Sequence, residues 1–105
     1  MGKVLRIDLT IGKMRAEDIK ESVLRKFIGG TGLAAKILYE QTGVRTDPLG
    51  PENVLMFMVG PFTATLVPSS GRLTAVAKSP LTGIWGESGV GGTWGTKLKK
   101  AGYDG

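Results

Sequence analysis

Apolar and polar positions change their spacing several times along this chain, and each change marks an element. Val4, Arg6 and Asp8 alternate with Leu5, Ile7 and Leu9, so Val4 to Thr10 predicts a half-buried strand. Ile11-Gly12-Lys13 supplies a turn, and Met14 to Glu17 returns as the second strand of a hairpin. From Asp18 to Phe27 the period lengthens. Ile19, Val23, Leu24 and Phe27 share one side of a short amphipathic helix, ended by Ile28-Gly29-Gly30. Thr31 is placed to cap a second helix to about Gln41. Leu33, Ala34, Ile37, Leu38 and Gln41 lie on one face of it, and Gly43 stands where a left-handed C′ residue is expected. Arg45 to Asn53 is loop, marked by Asp47-Pro48 and Gly50-Pro51.

Val54 to Val59 reads VLMFMV, a short continuous apolar run that predicts a strand buried on both faces. Gly60-Pro61 breaks it, and Phe62 to Ser70 is a polar loop. Leu73 to Lys78 alternates as a strand, and Ser79 to Gly83 turns the chain into a further short strand from Ile84 to Glu87 or Ser88. Gly92 or Thr93 opens a last helix to about Ala101, closed by Gly102. No repeat, linker or low-complexity tract interrupts this order. The expected fold class is α+β, a small mixed sheet with about three helices.

Composition narrows the chemistry. The 105 residues suffice for one small domain. No apolar span approaches the ~20 residues of a membrane helix, and the start MGKVLRIDL lacks a signal-peptide core, so a cytoplasmic location is expected. The chain has no cysteine and no histidine. Thiolate nucleophiles, zinc-thiolate sites, iron–sulfur ligation and Ser-His or Cys-His catalysis are thereby excluded within it. The net charge of +5 fits an anionic ligand, nucleic acid or an acidic partner. The one dense cluster, Lys97, Lys99 and Lys100, falls in the last turns of the expected third helix, where cations are favoured by the helix dipole.

Two glycine clusters are candidate anion loops. Ile28-Gly29-Gly30-Thr31-Gly32 precedes a helix but follows another helix, which is the wrong context for a dinucleotide loop, so a helix–helix corner is the favoured reading. Glu87-Ser88-Gly89-Val90-Gly91-Gly92-Thr93 follows a strand and opens a helix, and its spacing fits an anion site and a structural turn equally. Arg72 begins the strand adjacent to that corner. Alone it is an ordinary surface arginine; in company with the glycines it suits an anion. Trp85 and Trp94 flank the corner, as core residues or as walls for a planar ligand. Glu87 is the one carboxylate beside it.

These residues carry a resemblance. VLRIDLTIGK, FIGGTGLAAKIL, DPLGPEN, VGPFTAT and above all SGRLTAVAKSPLTG, followed by SGVGG and WGTKLKKAGYDG, resemble the N-terminal part of the tungsten-containing aldehyde ferredoxin oxidoreductases from end to end. The resemblance implies an enzyme that oxidises aldehydes to carboxylic acids and passes electrons to ferredoxin. It implies a tungsten, or in relatives molybdenum, centre held by two pterins, a magnesium ion bridging the pterin phosphates, and a 4Fe–4S cluster carried by later domains. The family's N-terminal domain has two repeats about a pseudo-two-fold axis, and residues 1–105 match about one of them, a partial tungstopterin-binding domain.

Carried over by position, Arg72 matches an arginine that contacts the cofactor. Gly89 falls where a backbone carbonyl meets the magnesium; family members can carry asparagine there. Gly91, Gly92 and Thr93 match the helix-opening segment near the pterin, so the Gly89-Val90-Gly91-Gly92-Thr93 backbone is the expected cradle. The family's cysteines, its later pterin-contacting segments and its catalytic glutamate and histidine have no counterpart here. The expectation is therefore a cofactor-cradle fragment, inactive alone, whose partner is the rest of the oxidoreductase polypeptide. Two copies pairing through the surface that meets the second repeat is a further expectation. The alternative is a stand-alone basic module for an anionic ligand or nucleic acid, and the absence of a stacking motif counts against the nucleic acid.

Overall fold

The computed structural model describes residues 1–105. Alternation in the first eighteen residues produces an antiparallel hairpin, β1 (Lys3–Asp8) with β2 (Lys13–Asp18), paired from Lys3↔Asp18 to Asp8↔Lys13. Gly12 takes the left-handed turn conformation at φ 65°. The Asp8 carboxylate accepts the N–H groups of Thr10 (2.9 Å) and Ile11 (3.3 Å), which fixes the turn locally. Two helices follow, α1 (Glu21–Phe27) and α2 (Gly30–Gln41). Between them the backbone passes through three consecutive positive φ values at Ile28, Gly29 and Gly30. At Gly32 any Cβ would collide with the Phe27 carbonyl. The first glycine cluster is thus explained by geometry: it lets the end of one helix press against the start of the next.

The second half forms an antiparallel sheet of β3 (Met56–Val59), β4 (Leu73–Lys78) and β5 (Trp85–Val90), in that order, and then α3 (Trp94–Lys100). Helix α2 lies on one face of this sheet. Leu33, Ala34 and Leu38 from the helix meet Met56, Met58 and Val76 from the strands, and these six residues form the main core cluster; Val59 and Leu73 are buried on the other face. Helix α3 covers part of the opposite face. A side chain at its Gly95 would come within 3.2 Å of Val59 and 3.3 Å of Leu73. Phe57 and Trp94 meet edge to face, with ring centres 5.0 Å apart. The architecture is the expected α+β with three helices, its strands divided between two small antiparallel sheets.

The two sheets are tied by the last residues. Asp104 N–H donates to the Lys3 carbonyl (2.7 Å), Leu5 N–H to the Gly105 carbonyl (2.8 Å), and Val59 N–H to the Asp104 carbonyl (2.9 Å). The Asp104 side chain, only 3% exposed, accepts from the N–H groups of Gly2 and Lys3 and is ion-paired with Lys99. A buried cation makes a comparable link elsewhere. Lys78 Nζ donates to the carbonyls of Gly43 (2.9 Å), Val44 (3.0 Å) and Thr46 (2.8 Å), pinning the loop after α2 to β4.

Four expectations are corrected. Thr31 does not cap α2: no side-chain cap is made, and its hydroxyl is directed to Glu87 instead. Gly43 is not a left-handed C′ residue. The helix ends at Thr42 in extended conformation, with the Thr42 hydroxyl returning to the Leu38 carbonyl at 2.7 Å. The VLMFMV strand is not buried on both faces, since Leu55 is 64% and Phe57 39% exposed; α3 is too short to cover their side of the sheet. Finally, β5 runs on to Val90, so Gly89 and Val90 are strand residues and the bend is confined to residues 91–93.

Burial alone would raise the Asp104 carboxyl pKa. The hydrogen bonds from Lys99, Lys3 and Gly2 and the Lys99 charge outweigh it, and the group titrates below its ordinary value. A carboxylate with a lowered native pKa adds stability that is complete above its unfolded value, near 4, and is lost as pH falls through the folded value. We expect denaturant unfolding to show a stability loss below about pH 4 that Asp104→Ala abolishes. At neutral pH the same substitution should cost about 3 kcal/mol. An unchanged acid limb in the variant would show that Asp104 is not the titrating link.

Candidate functional site

Strand alternation decides which groups can meet at the end of the β3-β4-β5 sheet. Register pairs Thr74 with Gly89 and Val76 with Glu87, so Arg72, just before β4, projects on the same face as Gly89 and Glu87. Space confirms it for the first pair. A methyl group built on Gly89 would lie 3.6 Å from Arg72 Nη2 and 3.8 Å from Nε. The guanidinium therefore rests on the bare face of Gly89, and any larger side chain there would begin to cover it. Arg72 is exposed and takes part in none of the chain's ion pairs or side-chain hydrogen bonds. Its charge is free for an external anion.

The backbone of β5 adds a second feature. The hairpin closes with Ser79 N–H donating to the Ile84 carbonyl at 2.7 Å. Hydrogen-bonded and open pairs alternate along an antiparallel ladder. In this register Gly86, Ser88 and Val90 bond to β4, while Trp85, Glu87 and Gly89 direct their N–H and C=O groups away from it. No strand lies on that outer side, because β5 is an edge. The Gly89 carbonyl is consequently an open oxygen beside a free cation. Beyond it, the N–H groups of Gly91, Gly92 and Thr93 have no acceptor within the chain. Gly92 sits at φ 87°, and no atom crowds Gly91 or Gly92. The position a Gly71 side chain would take lies 3.5 Å from the Gly92 carbonyl, which seats this bend next to Arg72.

Not every expected residue converges. Arg72, Gly89 and the Gly91-Gly92-Thr93 bend come together. Val90 has its backbone in the ladder, and its side chain shares the opposite face with Leu73. Thr93 makes no side-chain cap. With seven residues, α3 also contributes little dipole, so the open amides and the neighbouring Arg72 charge, not the helix, would carry any attraction for an anion.

A clamp appears that local sequence did not show. The Thr31 hydroxyl donates to Glu87 Oε1 (2.9 Å), and the Trp85 indole N–H donates to Oε2 (3.2 Å). It brings the start of α2 to the edge strand and places the first glycine cluster at the same end of the molecule as the second. The 56 residues between Thr31 and Glu87 leave no spacing signal from which the pair could be read.

Residues 4–105 match the family described as aldehyde ferredoxin oxidoreductase, N-terminal domain. The chain belongs to this family. It is 41% identical over 103 residues to a tungsten-containing aldehyde ferredoxin oxidoreductase of Pyrococcus furiosus, covering 98% of this chain and 17% of the relative. It is 42% identical over 108 residues to the WOR-like subunit of an aliphatic sulfonate oxidoreductase from the same organism, again 17% of that protein's length. Among solved structures, the active-site complex BamBC of benzoyl coenzyme A reductase superposes with a TM-score of 0.96 at 35% identity, over 98% of this chain and 16% of that one. The chain thus spans about a sixth of the length of the relatives it matches.

An exposed arginine without an internal partner is idle in the folding balance. Arg72→Ala should change unfolding free energy by no more than about 0.5 kcal/mol, measured by urea titration. A loss several times larger would assign Arg72 to the scaffold.

Proposed function

We propose that this chain is the cofactor-cradle segment of an aldehyde ferredoxin oxidoreductase-type enzyme and is inactive alone. The observation that carries the reading is the Arg72 guanidinium lying free on Gly89 at an open sheet edge. Relatives of this segment bear names that refer to aldehydes, aliphatic sulfonate and benzoyl coenzyme A. A segment shared by proteins named for such different substrates serves what they have in common, and that favours a cofactor platform over a substrate pocket.

The residues present fit a phosphate-bearing, metal-associated pterin. Arg72 would hold phosphate oxygens by charge-assisted hydrogen bonds. The N–H groups of Gly91, Gly92 and Thr93 would donate to the same anionic arm. The Gly89 carbonyl would face a magnesium ion, a hard cation that takes oxygen ligands. Glycine at 89 keeps the guanidinium uncovered, and glycine at 91 and 92 lets the ligand approach the main chain. The tungsten centre, when bound, supplies the redox chemistry that turns an aldehyde into a carboxylic acid. The chain's own part is electrostatic: it anchors and orients, and leaves proton and electron handling to the rest of the polypeptide. With no cysteine in the chain, the iron–sulfur relay toward ferredoxin belongs to that remainder, which we take as the principal partner. No helix is long and apolar enough to cross a membrane, and we place the enzyme in the cytoplasm.

Titration of the 105-residue chain with inorganic pyrophosphate tests the anchor. We expect saturable binding that weakens as salt rises and falls at least about tenfold in Arg72→Ala, the equivalent of about 1.4 kcal/mol. Binding that ignores the substitution would overturn the reading.

A further inference from the structure

We propose that Glu87 is a specificity-determining residue of this same cradle, accepting N–H groups from the heterocycle while Arg72 holds its phosphate. The inference rests on the cofactor reading above. Its basis is a contrast of charges. Glu87 and Arg72 project on one face of the sheet, with Gly89 between them. Neither takes part in any ion pair, although the chain carries 14 basic residues. Glu87 is instead held by two neutral donors, one on each oxygen: the Thr31 hydroxyl and the Trp85 indole. Neutral donors fix a carboxylate in orientation without cancelling its charge. Each carboxylate oxygen still has acceptor capacity after one hydrogen bond.

Such a group is exposed, oriented and uncompensated. It suits a ligand edge with adjacent N–H donors, the pattern that an aminopyrimidine ring of a pterin presents. Along β5, Glu87 and Gly89 are two residues apart, about 7 Å, so an anionic tail at Arg72 and an N–H edge at Glu87 can belong to one molecule. Phosphate alone would engage only the cationic end. The face is therefore two-ended, and it selects a phosphorylated N–H heterocycle over a simple anion.

The test compares two probes, inorganic phosphate and neopterin monophosphate, by calorimetric or NMR titration of the 105-residue chain. The wild type should prefer the pterin probe by about tenfold or more, and Glu87→Gln should reduce that preference to within about twofold of unity. Thr31→Val cuts the strap to α2 but keeps the carboxylate, and it should retain most of the preference. A strap with no ligand role predicts that Thr31→Val and Glu87→Gln behave alike and that both probes weaken together. That result, or an unchanged preference in Glu87→Gln with the amide spectrum showing a folded chain, overturns the inference while leaving the phosphate anchor standing. Failure of either probe to bind the wild type removes the anchor and this inference with it.

Discussion

The structure depends on one buried carboxylate. Asp104 receives the N–H groups of Gly2 and Lys3, from the opposite end of the sequence, and the ammonium of Lys99 from α3. Its own backbone bonds to Lys3 on β1 and Val59 on β3. The β1-β2 hairpin has no ladder to the three-stranded sheet, so this residue and Gly105 make the backbone connection between the two sheets, beside the packing of Val4 on the core. Removing a charge from water is costly, and the cost is tolerated because several donors converge on the same carboxylate. A structure of this size, with few fully buried side chains, has little apolar burial to spare. Polar staples such as Asp104 and Lys78 therefore carry connections that a larger core would make by packing.

That same economy shapes the candidate site. Sheet edges are usually protected against further pairing, yet β5 leaves the outward groups of Trp85, Glu87 and Gly89 open. Three devices hold the opening in place. The Glu87 carboxylate is anchored to α2 and to Trp85, Gly71 lies against the bend at Gly92, and α3 packs on the far face through Gly95. The glycines thus divide into two kinds. Gly32 and Gly95 are small because protein atoms press on them. Gly91 and Gly92 have free space around them, so packing gives no reason for their size.

The sequence disclosed the elements well and their connections poorly. The alternation of Val4 to Thr10 and of Leu73 to Lys78, and the helical spacing of Leu33, Ala34 and Leu38, reflect burial by near neighbours, which period alone encodes. The Arg72–Gly89 contact was legible too, because one turn joins their strands. Asp104 meets Gly2 across 102 residues, and Thr31 meets Glu87 across 56; no local pattern carries such pairs. Where local reasoning failed, a tertiary competitor had taken the group. Thr31 gave up its cap for Glu87. Gly43 yielded its role because Lys78 binds the carbonyls that follow α2. The bend moved from Gly89 to Gly91 because the ladder with β4 extends as far as Leu73↔Val90.

Charge placement separates scaffold from site. Every cation whose position the fold needs is engaged: Lys99 by Asp104, Lys78 by three carbonyls, Arg6 by Glu17 and Gln41. Arg72 and Glu87 stand on one face with opposite charge and remain apart. A surface tuned only for stability would lose nothing by letting them meet. Here Thr31 and Trp85 hold the carboxylate by neutral hydrogen bonds, and the glycine at 89 leaves the guanidinium bare. Sites that bind a partner commonly keep groups unsatisfied at some expense to the free fold. The separation of these two charges across a single glycine is the feature that packing, capping and solubility do not account for, and the proposed ligand, with an anionic arm and an N–H edge, would.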